Sequence, residues 1–199
     1  MNELNNEKAL NNLKAWVQNN IKYADLQVVD DGYGSGTVLD DVQSLLLQAL
    51  KMHPRDADVL EALGVCYNAS REYDSAIECL RSAIEVRPND YQLWNKLGAT
   101  LANFQKSDEA LPAYNRALDL KPKYARAWLN MAISHSNLQN YDDAARCYLQ
   151  TLSLSPEALH CWSYLRIALT CSEKWDLLPL VGAQDVLAFR EHFDFVPQL

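Results

Sequence analysis

The sequence predicts an all-α fold: a solenoid of antiparallel helix pairs wound as a right-handed superhelix, with capping helices at the C-terminal end. Three observations predict it. Pro54, Pro88, Pro122 and Pro156 stand 34 residues apart, and self-similarity at such a period marks an array whose units bury their apolar faces against one another. Apolar and small residues recur in phase with those prolines. With each proline at position 32, Leu60, Trp94, Trp128 and Trp162 fall at position 4, and Leu63, Leu97, Met131 and Leu165 at position 7. Gly64, Gly98 and Ala132 fall at position 8, Ala76, Ala110 and Ala144 at position 20, Leu80, Tyr114 and Tyr148 at position 24, and Ala49, Ala83 and Ala117 at position 27. Finally, the period stops before Trp175, where the chain becomes dense in apolar residues, as the uncovered last unit of a stack requires.

The elements follow in order. Leu4 to Asn19 carries Ala9, Leu10, Leu13, Trp16 and Val17 at a helical period. Ala9 and Leu13 match positions 20 and 24 with a one-residue slip, so this is the second helix of a repeat, and the chain is expected to begin mid-array. Its Leu10, Leu13 and Val17 face is then expected to be exposed apolar surface. Lys22 to Gly36 reads as a degenerate repeat, because Asp30, Asp31, Gly32, Gly34 and Gly36 crowd together in a loop. Helix resumes from about Leu39 to Met52. Three full repeats span 57–90, 91–124 and 125–158, with second helices starting near Glu72, Ser107 and Asn140. Each has an acidic residue in its first turn, where the helix dipole favours one. A lone first helix covers about 159–172. Beyond it, Trp175, Leu177, Leu178, Leu180, Val181, Val186, Leu187, Phe189, Phe193 and Phe195 are expected to seal the open end. The domain organisation is therefore residues 1–38 as a truncated repeat plus hinge loop, 39–172 as the array, and 173–199 as capping helices. Period and pattern together resemble the tetratricopeptide repeat.

Composition narrows the function. The chain has 199 residues and a net charge of −8, which argues against a nucleic-acid binder with its basic face. No apolar run is long enough for a transmembrane helix, and Met1 to Lys8 lacks the parts of a signal peptide, so a cytoplasmic location is expected. Cys66, Cys79, Cys147, Cys161 and Cys171 are odd in number and without a CxxC pair, which fits reduced, core-filling thiols. No metal or cofactor is expected. His160, Cys161 and Cys171 lack zinc-site spacing, and no GxSxG, HExxH or phosphate-binding glycine loop occurs. His135 occupies a core position and reads as a packed histidine. No enzyme activity is expected.

In such an array the first helices line the concave face, so their residues outside the core positions decide what binds. Lys96 and Asn103 lie seven apart on one first helix, and Asn130 and Asn137 occupy the same two positions one repeat later. Seven residues are two turns, which keeps each pair on one face. Arg126 lies one turn before Asn130, Asn95 adjoins Lys96, and Asn68 ends the preceding first helix. A carboxamide offers two donors and an acceptor, so it can pair with a peptide N–H and C=O whatever the side chain. Lys96 and Arg126 can neutralise a carboxylate. The set suits an extended peptide end. Asn68, Asn103 and Asn137 lie near helix ends and equally suit C-terminal caps; the repeated offset favours ligand contact.

The runs NDYQLWNKLGATLAN (residues 89–103) and PKYARAWLN (residues 122–130), with Trp162, Ser163, Leu165 and Arg166, resemble the C-terminal repeat domain of the peroxisomal import receptor for type 1 targeting signals. The resemblance implies a receptor that closes on a cargo protein's C-terminal Ser-Lys-Leu or a variant and cycles between the cytoplasm and the peroxisomal membrane. It implies that Asn95, Lys96, Arg126 and Asn130 hold the terminal carboxylate and last peptide units, and that Asn68, Asn103 and Asn137 bind backbone and the small third-last side chain. Ala99 leaves room for the ligand. The family's first repeats, which form the opposite wall, and its N-terminal half, which engages the docking machinery, are absent from this sequence. The alternative is a generic tetratricopeptide scaffold or a cochaperone-type carboxylate clamp, but the clamp's first lysine and asparagine would fall at Glu61 and Val65, which cannot serve.

Overall fold

The computed structural model describes residues 3–27 and 37–196. Ten α-helices occur among them: α1 (Glu3–Asn19), α2 (Val38–Met52), α3 (Ala57–Ala69), α4 (Tyr73–Val86), α5 (Tyr91–Asn103), α6 (Ser107–Leu120), α7 (Ala125–Asn137), α8 (Tyr141–Leu154), α9 (His160–Cys171) and α10 (Leu178–Ala183). Single 3-10 turns, Trp175–Leu177 and Leu187–Glu191, flank α10. No strand occurs among the described residues. Residues 21–25 form turns, within the segment expected to be irregular. Its glycine cluster, in residues 28–36, lies outside the described residues.

The helices form two compact units, Met1–Asn89 and Asp90–Leu199. In the N-terminal unit α1 packs on α2, α2 on α3 and α3 on α4. Val17, Val42, Leu45, Leu46, Val59, Leu63 and Cys66 form its buried core, with Leu10, Leu13 and Trp16 packed against it. This corrects the expectation that the Leu10–Leu13–Val17 face is exposed: that face is the one α1 turns onto α2, and Val17 is fully buried. The turn after α1 is tied down as well. Tyr23 is buried, packs edge-on against His53, and donates from Oη to Asp56 at 2.8 Å. Asp56 also accepts from Lys22 Nζ and, as the N-cap of α3, from the N–H groups of Asp58 and Val59. Burial alone would raise its pKa, but these bonds outweigh burial and hold the carboxyl below its usual range.

In the C-terminal unit α5 to α9 pack in sequence. The small residue at position 8 is explained by distance. A Cβ on Gly98 would stand 2.5 Å from the Tyr114 ring, and one on Gly64 would stand 2.8 Å from Leu80 Cγ. In these two pairs the second helix therefore rests its position-24 side chain directly against the first helix at position 8. The C-terminal tail is buried through Leu177, Val181, Phe189, Phe193 and Phe195. Phe189 meets Trp162, and Gln150 of α8 holds the Val196 peptide on both sides, donating to its carbonyl at 2.9 Å and accepting from its N–H at 2.8 Å. Trp175 and Leu187, expected to help seal the end, are instead more than half exposed.

First helices end alike. Arg71, Gln105, Gln139 and Glu173, spaced at 34, all adopt positive φ between 59° and 66°. The next residue's N–H bonds the carbonyl five residues back in each case: Glu72 to Tyr67, Lys106 to Leu101, Asn140 to His135 and Lys174 to Leu169. These are Schellman closures built without glycine.

Candidate functional site

Helices α5 and α7 run through corresponding positions of successive repeats, and two of the asparagines meet between them. Asn130 of α7 donates from Nδ2 to Asn95 Oδ1 of α5 at 3.1 Å. Asn95 is only 5% exposed although it is a polar residue on a surface-lining helix, and a buried carboxamide needs such a partner. The bond uses one N–H of Asn130 and one lone pair of Asn95, out of two donors and an acceptor on each. Lys96 follows Asn95 and is half-buried, Ala99 is half-buried one turn further along α5, and Arg126 is exposed in the first turn of α7. In sequence, Lys96 adjoins one member of this carboxamide pair and Arg126 lies one turn before the other.

Asn103 and Asn137 are exposed in the last turns of α5 and α7. Neither is the left-handed residue of its closure, which is Gln105 or Gln139, so the backbone cap does not rest on them. Asn137 instead donates to Ser107 Oγ, the first residue of α6, at 3.3 Å. Asn68 lies in the last turn of α3, in the N-terminal unit, and its carbonyl accepts from Arg71. In that unit the positions matching Asn95 and Ala99 are Glu61 and Val65. Glu61 bonds Arg87 Nη2 at 2.8 Å, and Val65 is exposed.

Sequence reasoning named the asparagines but missed the partners that fix them. The Asn95–Asn130 bond joins positions 5 and 6 of adjacent repeats, a spacing of one period plus one, which was a legible signal. Ser107 carried none. The histidine is as expected a packed one: His135 is half-buried, its Nδ1 is buried without a hydrogen-bond partner, and burial pulls its pKa down, opposed by Asp143 and reinforced by Arg146. All five cysteines are free thiols. Burial pushes Cys66, Cys79 and Cys161 up to about 11 and Cys147 up to about 12, so these four are poor nucleophiles at neutral pH. No cluster of metal-binding side chains, and no helix long and apolar enough to cross a membrane, occurs among the described residues.

Known proteins resemble the chain at two levels. Residues 1–199 include a segment of 79 residues that is 40% identical to peroxisome biogenesis protein 5 of Arabidopsis thaliana, covering 38% of this chain and 10% of that protein. The matched segment thus spans about a tenth of the length of that curated relative. Among solved structures, MamA superposes with a TM-score of 0.70 at 21% identity, covering 77% of this chain and 90% of the other. A MamA fragment from Desulfovibrio magneticus RS-1 superposes at 0.69 and 16%, covering 77% and 86%. The first repeat domain of Spaghetti (RPAP3), solved with the HSP90 peptide SRMEEVD, gives 0.57 and 24%, covering 59% and 93%. At these identities the structural likeness speaks to fold alone. Tetratricopeptide repeat models match residues 40–77, 69–125 and 125–158, together more than half of the sequence, and the chain belongs to the tetratricopeptide repeat family.

Proposed function

We propose that the chain is a non-enzymatic receptor module that holds the free C-terminus of a partner protein, of the Ser-Lys-Leu class that directs import into peroxisomes. The observation that carries this reading is the Asn95–Asn130 pair, a peptide-like donor and acceptor set bridging two repeats, with Lys96 next to Asn95 and Arg126 one turn before Asn130 in the sequence. A terminal carboxylate is the one anion that every C-terminus supplies. Charge-assisted bonds to it are the strong ones, whereas the carboxamides can hold the last peptide units without regard to sequence. Asn103 and Asn137 are proposed to bind the backbone further along and Ala99 to leave space, and Asn68 is proposed as a peptide contact of the N-terminal unit. The identity to peroxisome biogenesis protein 5 supports the peroxisomal assignment, and with it cycling between cytoplasm and peroxisomal membrane, with docking through a region outside this sequence.

The test is fluorescence anisotropy with a labelled peptide ending in Ser-Lys-Leu, the same peptide amidated, and one ending in Glu-Glu-Val-Asp. Free Ser-Lys-Leu binds best on this account, and amidation weakens it at least about 10-fold, the loss of one bond to a charged group. Preference for the acidic peptide would favour a cochaperone-type clamp, against which Glu61, already paired with Arg87, presents a negative charge.

A further inference from the structure

The N-terminal unit carries a cleft that the proposed C-terminus site does not use. Its volume is about 560 Å³, a size usual for ligand sites, and Lys22, Met52, His53, Pro54, Arg55 and Asp56 line it. It lies where the turn after α1 meets the loop between α2 and α3. The side chains around it are held in place. The buried Tyr23 ring packs edge-on against His53, and Asp56 accepts from Tyr23 Oη at 2.8 Å and from Lys22 Nζ at 3.1 Å.

The donors and acceptors of this cleft do not balance. Its one carboxylate, Asp56, already accepts four hydrogen bonds, two of them from the N–H groups of Asp58 and Val59. Arg55 is exposed and has no hydrogen-bond or ion-pair partner among the described residues, which leaves a guanidinium with five donors open. Lys22 spends one donor on Asp56 and keeps two, on a side chain that is 61% exposed. Charged donors in surplus suit an incoming carboxylate.

Apolar surface adjoins the cations. Met52 is 53% exposed in the lining, and Ile21, next to Lys22 in the sequence, is 97% exposed. A thioether adapts its shape to what it meets. A free anion would leave that surface uncovered, so the cleft suits an acidic group with an apolar neighbour. Net charge narrows the source. Residues 1–89 carry eight Lys and Arg against fourteen Asp and Glu, and a long polyanion or an anionic membrane would lie against that excess. A short segment instead answers to the nearest cations, because charges beyond about 8 Å are screened at physiological salt.

We propose that this cleft binds a short acidic segment of a partner protein, in which two neighbouring carboxylates lie beside a bulky apolar side chain. Arg55 grips one carboxylate, Lys22 adds a charge-assisted bond from the side anchored by Asp56, and the apolar side chain covers Met52. The segment is internal to its protein, so the contact needs no free C-terminus and is independent of the proposed function.

The experiment uses the full chain and the labelled peptide Gly-Leu-Asp-Glu-Gly, acetylated and amidated so that it offers no terminal carboxylate to Asn130. Two companion peptides replace Asp-Glu by Asn-Gln, or Leu by Gly. In anisotropy titrations at low salt the first peptide binds best, and each companion binds about 5-fold more weakly, the scale of one exposed ion pair or one partly covered leucine. Arg55→Gln weakens the first peptide about 5-fold, whereas Arg81→Gln, which removes an exposed cation of α4 outside the cleft, leaves it unchanged. Met52→Ser removes the advantage of Leu over Gly. Both lining residues are exposed, so neither substitution disturbs the core. Equal binding of the acidic and Asn-Gln peptides, equal losses with Arg55→Gln and Arg81→Gln, or no binding to the parent chain would overturn the proposal. Inorganic phosphate is the last arm: if it displaces the peptide and Leu makes no difference, the cleft takes free anions only and the acidic-segment reading falls. Arg55→Gln leaves binding of free Ser-Lys-Leu unchanged, which separates failure here from failure of the proposed function.

Discussion

Helices α3 and α5 occupy the same place in their helix pairs and carry opposed chemistry. On α3, Asp58 and Glu61 are drawn to one arginine of the same unit: Arg87 Nη1 lies 3.0 Å from Asp58 and Nη2 lies 2.8 Å from Glu61. On α5 the equivalent residues are Gln92 and Asn95, and Asn95 takes a neutral partner on the next first helix, Asn130. Below the surface the two helices agree, with Leu63 and Leu97, Gly64 and Gly98 in register and buried. The repeat fixes what faces inward, because a position-24 side chain must find a position-8 gap. It leaves the first-helix surface open to specialise, here into internal ion pairing in one unit and a carboxamide row in the other.

The comparison breaks most strongly at the shared glycine. Gly98→Val drives a branched side chain into the Tyr114 ring, whose three nearest atoms lie 2.5 to 2.9 Å from its Cβ, and should cost about 3 kcal/mol, the upper end for overpacking. Gly64→Val meets Leu80 Cγ at 2.8 Å, a looser fit than the three ring atoms at Gly98 but against a buried side chain, and should cost about 2 kcal/mol. Urea unfolding of both variants checks the order; equal losses would mean that the aromatic ring imposes no extra constraint.

Arg87→Met probes the ion pairs that distinguish α3. Both carboxylates and the guanidinium are partly exposed, so screening keeps the loss near 1 kcal/mol at low salt and less at high salt. Melting temperatures measured across a salt series should converge for parent and variant. A loss independent of salt would show that Arg87 acts by packing its stem.

Smaller still is the relief of one left-handed residue. Gln105 sits at φ 63°, a conformation that costs a side-chain residue about 1 to 2 kcal/mol, against a backbone-entropy cost of about 0.5 to 1 kcal/mol for glycine. Gln105→Gly should stabilise by about 0.5 kcal/mol, read as a rise in melting temperature. No rise would place the strain elsewhere in the turn.

The smallest effect is on pH dependence. Burial lowers the pKa of His135 below the ordinary 6.5, so the unfolded chain binds the proton more readily than the folded one. Stability is then unaffected well above pH 6.5 and falls as pH drops below it, levelling once the folded state also protonates. His135→Gln should flatten that window while leaving the steeper loss below about pH 4, where Asp56 and other carboxylates protonate. An unchanged slope between pH 6.5 and 5 would assign it to other groups.

The helix boundaries were legible because period and phase agree: a proline every 34 residues with Leu63, Leu97, Met131 and Leu165 leaves one register. What the sequence hid depends on tertiary neighbours. The closures at Arg71, Gln105, Gln139 and Glu173 carry no glycine, so the usual signal was missing. Burial of α1 on α2 was not readable, because an amphipathic face looks the same whether or not a partner covers it. Trp175 and Leu187 show the reverse, apolar residues that the tail leaves out. The asparagines were visible as residues and as an offset, but which of them touch was decided by how α7 lies against α5.

The most direct test of the central claim is a double-mutant cycle between Asn130 and the ligand's carboxylate. Anisotropy titrations compare the parent chain and Asn130→Ala, each against a Ser-Lys-Leu peptide as free acid and as amide. If Asn130 helps to hold the carboxylate, the substitution weakens binding of the free acid by about 10- to 100-fold and leaves binding of the amide nearly unchanged. Equal losses against both peptides, or no loss against either, would contradict the account and return the Asn95–Asn130 bond to a purely structural role between repeats.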